Sequence, residues 1–242
     1  MTDSADRRKE WFVPAFGPLK FRVFIGLLFL PYTAMVLAYT VIGAALANDF
    51  DKGLAGGLIV VHFLALGIAA HALDALGSHE IKPWGVHFQP VQLWALTIIS
   101  LIPAAVIGIF YAVNFAPLLW PIGLLEFFFL FAYNLEWFNG RFHTDGWFAF
   151  SWGMLPVVAG YILQTNRFSL ILLPVSLATG LFSLVEISAS RPYKAIKRSV
   201  ERSQSDEQRA KIYERILKSI SLGVILLGVS LLLLRLRWPS LL

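Results

Sequence analysis

Seven apolar runs divide the chain, and most reach the roughly 18 residues needed to cross about 30 Å of hydrocarbon as a helix. They fall at about 22–47, 54–76, 91–112, 116–135, 146–164, 168–188 and 216–235. In lipid, backbone N–H and C=O groups must pair within the protein, which leaves helices or closed barrels. Runs of this length predict an all-α, polytopic transmembrane bundle. Composition agrees, because 57% of residues are hydrophobic and 14% charged, where a soluble domain carries about 25% charged. Pro103, Pro121, Pro156 and Pro174 lie within runs and are expected to kink their helices. The chain has no cysteine, which excludes disulfides, thiolate nucleophiles and Cys-ligated metals. The polar residues before the first run end in no small-residue cleavage site, so no removable signal peptide is expected.

Charge placement sets the expected orientation. With seven spans, sixteen Lys and Arg fall on one side and four, Lys52, Arg167, Arg235 and Arg237, on the other. The positive-inside rule then puts the N-terminus in the cytoplasm and the C-terminus outside. Residues 1–21 read as a cytoplasmic segment and 22–242 as one transmembrane domain. A polar cytoplasmic loop is expected at about 189–215, within a stretch at 191–218 whose alternating charges suit a solvated helix. Its Arg191, Lys194, Lys197 and Arg198 either enforce topology or face lipid headgroups or a substrate phosphate.

The polar side chains gather at one surface. His71 and Asp74 share a helix face near the inner end of span two. His79 and Glu80 follow in the loop. Tyr133, Asn134, Glu136, Arg141, His143 and Asp145 follow the inner end of span four, and Glu186 and Arg191 stand at the inner end of span six. Ionisable groups at membrane depth usually face a bundle interior or a wet cavity. A carboxylate and an imidazole one turn apart can hold a divalent cation. Oxygen-rich sets suit Mg²⁺, and added His suits Zn²⁺, Mn²⁺ or Fe²⁺. The plainer account is a hydrogen-bonded pair at a helix end beside wet loop residues. Two groups lie deeper: Glu126 reads as a cavity contact, a proton carrier or a packing residue, and His62 as packing.

Residues 150–165, FSWGMLPVVAGYILQT, and the Tyr133-Asn134 pair before them resemble the UbiA superfamily of membrane prenyltransferases. That family carries Asn-Asp-x-x-Asp-x-x-x-Asp where span two meets the cytoplasm, and a second acidic motif on span six. Here the first motif becomes residues 70–78, AHALDALGS. Asp74 holds the middle acidic place, His71 replaces the first Asp and Ser78 the last. The second becomes EISAS, with Glu186 acidic and Ser190 in place of another acid. Family members usually have nine spans, against seven here.

The resemblance implies a metal-dependent site on the cytoplasmic face. Asp74 and Glu186 would be catalytic. His71, Asp74, His79, Glu80, His143, Asp145 and Glu186 would be candidate metal ligands, with Mg²⁺ the expected ion. Arg141, Arg191 and Lys194 would contact phosphate. The substrate would be an isoprenoid or other lipid diphosphate, and no nucleic-acid partner is expected. The altered motifs leave open a different metal, a changed substrate or lost catalysis. A Zn²⁺ or Fe²⁺ lipid hydrolase or oxidase and an inactive lipid-binding or assembly protein are the alternatives.

Overall fold

A computed structural model describes residues 10–77, 87–199 and 201–238. These residues form α1 (Leu19–Leu27), α2 (Leu30–Ala45), α3 (Lys52–His62), α4 (Ala70–Gly77), α5 (Pro90–Asn114), α6 (Leu119–Asn134), α7 (Asp145–Phe148), α8 (Leu155–Thr165), α9 (Leu172–Arg198) and α10 (Gln204–Arg237). A π-helical stretch, Phe63–Ala69, joins α3 to α4, and another, Ala149–Met154, joins α7 to α8. Among the described residues, six helical segments are long and apolar enough to cross a membrane, and the shorter α6 is a seventh apolar helix. These are the features of a membrane protein.

The core is built around α2, of which twelve residues are buried. It packs against α8, α10 and α3. Glycine makes the closest contact possible: a Cβ on Gly43 would sit 1.9 Å from the Val157 carbonyl oxygen, and one on Gly160 would sit 2.2 Å from that of Thr40. Small residues at such crossings let helix backbones touch where lipid supplies no hydrophobic drive. The outer faces of α5, α9 and α10 expose aliphatic side chains such as Ile99, Ile102, Leu177, Leu181, Leu226 and Leu233. Apolar exposure of this extent is the surface of a protein in lipid.

Several boundaries differ from the sequence reading. The first run is two helices. Phe29 has φ 45°, in the left-handed region, and Pro31 follows in the first turn of α2. Proline cannot donate to the preceding turn, and its ring clashes with the carbonyl four residues back, so Pro31 and the left-handed Phe29 together end α1 before α2 begins. Pro121 and Pro174 fall in the first turns of α6 and α9, where a proline removes no helical hydrogen bond. Pro156 also opens a helix, directly after a π stretch, while Pro103 lies inside α5. The expected loop at 189–215 is largely helix: α9 runs on through Pro192 to Arg198, and α10 starts at Gln204 under a Ser203–Asp206 capping box.

The end of the bundle formed by the α2 C-terminus is closed by polar ties. Asp51 caps α3 by accepting from the Gly53 and Leu54 amides at 2.7 and 3.0 Å. The Gln164 side chain pairs with the Asp51 backbone at 2.8 and 3.0 Å. Arg235, counted above among the outer charges, is fully buried there. Its Nε donates to the Ala45 carbonyl at 2.8 Å and its Nη2 to that of Ala47. A guanidinium on the last carbonyls of a helix also meets the negative end of the helix dipole.

Candidate functional site

At the other end, a cavity of about 210 Å³ opens where α4 and α6 finish and the last third of α9 passes. Two glycine contacts bring these elements together. A Cβ on Gly77 would lie 2.1 Å from the Asn134 carbonyl oxygen, so the end of α4 presses on the end of α6. A Cβ on Gly153 would lie 2.8 Å from the Thr179 carbonyl oxygen, which seats α9 against the π stretch before α8. In consequence His71 and Asp74, from α4, share one lining with Glu186 and Arg191, from α9.

On α9, Glu186, Ser190, Lys194 and Arg198 recur every four residues and all line the cavity. This is one helix stripe. Glu186, at its deep end, is buried, while Lys194 and Arg198 are half-buried toward the mouth. The lining therefore combines three carboxylates, Asp74, Glu136 and Glu186, with the cationic groups of Arg191, Lys194 and Arg198.

Aromatic rings hold the two histidines. Phe29 stacks on His71, with centroids 4.7 Å apart and planes inclined by 23°. The His71 Nε2 lies 3.3 Å from the Thr33 hydroxyl, which itself donates to the Leu28 carbonyl at 2.7 Å. A hydroxyl has one hydrogen, so Nε2 carries the proton in this contact and offers no lone pair there. His143 stacks on Tyr133 at 4.5 Å, and its Nδ1 donates to the Tyr133 carbonyl at 2.9 Å. In the neutral ring its Nε2 then bears the lone pair. The Lys194 ammonium lies 4.6 Å from the centre of the Phe29 ring. Phe12 stacks on the same ring at 4.8 Å, so the segment before α1 packs against the aromatic wall of the cavity.

The candidate residues divide as follows. His71, Asp74, His143, Glu186, Arg191 and Lys194 line the cavity together. Asp145 is held instead in an ion pair with Arg191 at 2.9 Å. Arg141 is exposed and outside the lining. His79 and Glu80 lie outside the described residues. Among the described residues, no three His, Asp or Glu side chains form a group that could hold a metal ion. The cationic groups of Arg191, Lys194 and Arg198 suit an anionic group. Phe29, Thr33 and Trp152 were not singled out from the sequence. Pro31, with its power to break a helix at Phe29, was the one available signal.

A second cavity, of about 350 Å³, lies among α3, α5, α6 and α8 and is lined almost wholly by apolar side chains. His62 and Glu126, read separately from the sequence, face each other in its wall at 3.3 Å. Leu66 lines both cavities.

Comparison of the chain with protein-family models, curated proteins and solved structures finds no match.

Proposed function

We propose that this chain is a divergent UbiA-like membrane protein that takes the diphosphate headgroup of an isoprenoid or related lipid in the polar cavity, with prenyl transfer as its reaction. One observation carries the reading. Asp74 and Glu186, more than a hundred residues apart in sequence, line one hollow together with Arg191, Lys194 and Arg198. Guanidinium and ammonium groups bind phosphate oxygens through charge-assisted hydrogen bonds. The same groups stabilise the charge that develops on a departing diphosphate. The excess of Lys and Arg on this side supports a cytoplasmic position for the cavity, where soluble lipid diphosphates and acceptors would reach it.

A second reading is a lipid-phosphate binder without catalysis. It is favoured by the altered acidic motifs, in which His71 and Ser190 stand where acids are expected. One experiment separates the two. Purified protein is given radiolabelled farnesyl or geranylgeranyl diphosphate with Mg²⁺, Mn²⁺ or chelator. Turnover that needs a divalent ion and is lost in Asp74→Asn and Glu186→Gln supports transfer. Saturable binding without turnover supports the second reading. Absence of saturable binding under every condition rejects both.

A further inference from the structure

The apolar cavity holds a polar pair with no counterpart. His62 is 1% exposed and its Nδ1 lies 2.5 Å from the Thr40 hydroxyl oxygen. That hydroxyl donates its single hydrogen to the Val36 carbonyl at 3.1 Å. Nδ1 must therefore be the donor to Thr40, and Nε2 is the nitrogen turned toward Glu126. Nε2 and the Glu126 Oε1 approach to 3.3 Å, yet neither atom makes a hydrogen bond. Buried polar atoms left in this state are costly, and those that persist call for a partner.

The chemistry of that partner follows from the pair. One proton shared between an imidazole and a carboxylate leaves the pair neutral overall, with a donor and an acceptor side by side. A carboxylate ligand would place a second negative charge beside Glu126. An amine would place a second cation beside His62. A carbonyl can accept but cannot donate to the remaining atom. A hydroxyl does both. The rest of the wall is apolar apart from the Trp120 indole, and a volume of about 350 Å³ is at the small end of the ~300–1,000 Å³ usual for ligand sites. Gly108 and Gly123 form part of this wall, and at each an added Cβ would meet nothing within 4 Å.

We propose that this cavity binds a membrane-dissolved lipid alcohol, its hydroxyl bridging His62 and Glu126 and its chain lying along the wall at Gly108 and Gly123. The site is separate from the headgroup cavity and does not depend on the function proposed above.

The test uses the full chain in nanodiscs and a diazirine-bearing dodecanol, with crosslinks located by mass spectrometry. Labelling is expected on α5 and α6. Unlabelled dodecanol should compete at about 10-fold lower concentration than its methyl ether, because a site built to hydrogen-bond a hydroxyl rejects the analogue that cannot donate. Glu126→Gln should shrink that preference. Gly123→Leu, which fills the cavity one turn before Glu126 on α6, should abolish labelling. If Glu126→Gln fails to fold, the alcohol-to-ether ratio on the unaltered protein and Gly123→Leu decide the matter. Equal competition by alcohol and ether, or unchanged labelling in Gly123→Leu, would overturn the proposal and leave lipid tails or a bridging water as the occupant.

Discussion

Phe29 lies flat against His71, their ring centres 4.7 Å apart, while its backbone holds the left-handed φ of 45° that separates α1 from α2. A bulky residue in that region is strained, at a cost of about 1–3 kcal/mol. The same ring meets the Lys194 ammonium at 4.6 Å, so one side chain fixes both an imidazole and a cation of the polar cavity. Phe29→Leu keeps most of the volume and removes the aromatic face. It should cost less than about 1.5 kcal/mol of stability and weaken lipid-diphosphate binding by about 5-fold, as expected for loss of a partly desolvated cation–π contact. Thermal melting beside equilibrium binding checks both halves; equal binding by the variant would show that the ring is packing only.

Arg191 and Asp145 form an ion pair whose side chains are 43% and 35% exposed. Pairs of that exposure contribute about 0–1 kcal/mol. Asp145→Asn should therefore leave the melting temperature nearly unchanged. Arg191→Gln should also melt normally but bind lipid diphosphate about 10-fold more weakly, because a charge-assisted contact to phosphate is lost. Normal binding by Arg191→Gln would remove this residue from the phosphate contacts.

The crossing of α2 and α8 makes a paired prediction. Gly43→Ala and Gly160→Ala place a methyl against backbone oxygen at 1.9 and 2.2 Å, where no side chain can yield. Each should destabilise by about 1–3 kcal/mol. Gly56→Ala, where the new Cβ meets nothing within 4 Å, should be neutral or stabilising by up to about 1 kcal/mol. Melting of the three variants in one detergent tests the contrast, and a Gly43→Ala protein as stable as the parent would contradict the close crossing.

Arg235 supplies a fourth. Its guanidinium is buried against the carbonyls that end α2. Arg235→Met keeps much of the stem but strands those oxygens, and should cost about 3 kcal/mol. Arg235→Lys should recover part of the loss, because one ammonium can reach one carbonyl without the planar fork. Equal melting of Met and Lys variants would argue that only the hydrocarbon stem matters.

Run length carried most of the architecture in the sequence, because a helix in lipid must be both long and apolar. The convergence of Asp74, His71 and Glu186 was legible through span parity alone: helices that end on the same side can share a hollow. What parity could not give is depth and facing. A 3.6-residue period holds within α3 and within α4, but the π stretch at Phe63–Ala69 between them turns the following faces away from it. His62 and Glu126 lie on different helices, and no spacing rule links them. Arg235 looked like an outer charge because a basic residue at a helix end usually is one; its use as a cap depends on where Ala45 lies in space. Gln164 closes the opposite end of the bundle from the polar cavity. That part of the 150–165 pattern thus has a structural use here.

Leu66 contributes its side chain to the rims of both hollows. The partition between a charged chamber and a greasy one is therefore a single residue thick at that point. Shortening it to alanine would thin that wall, and a bulkier group there would thicken it.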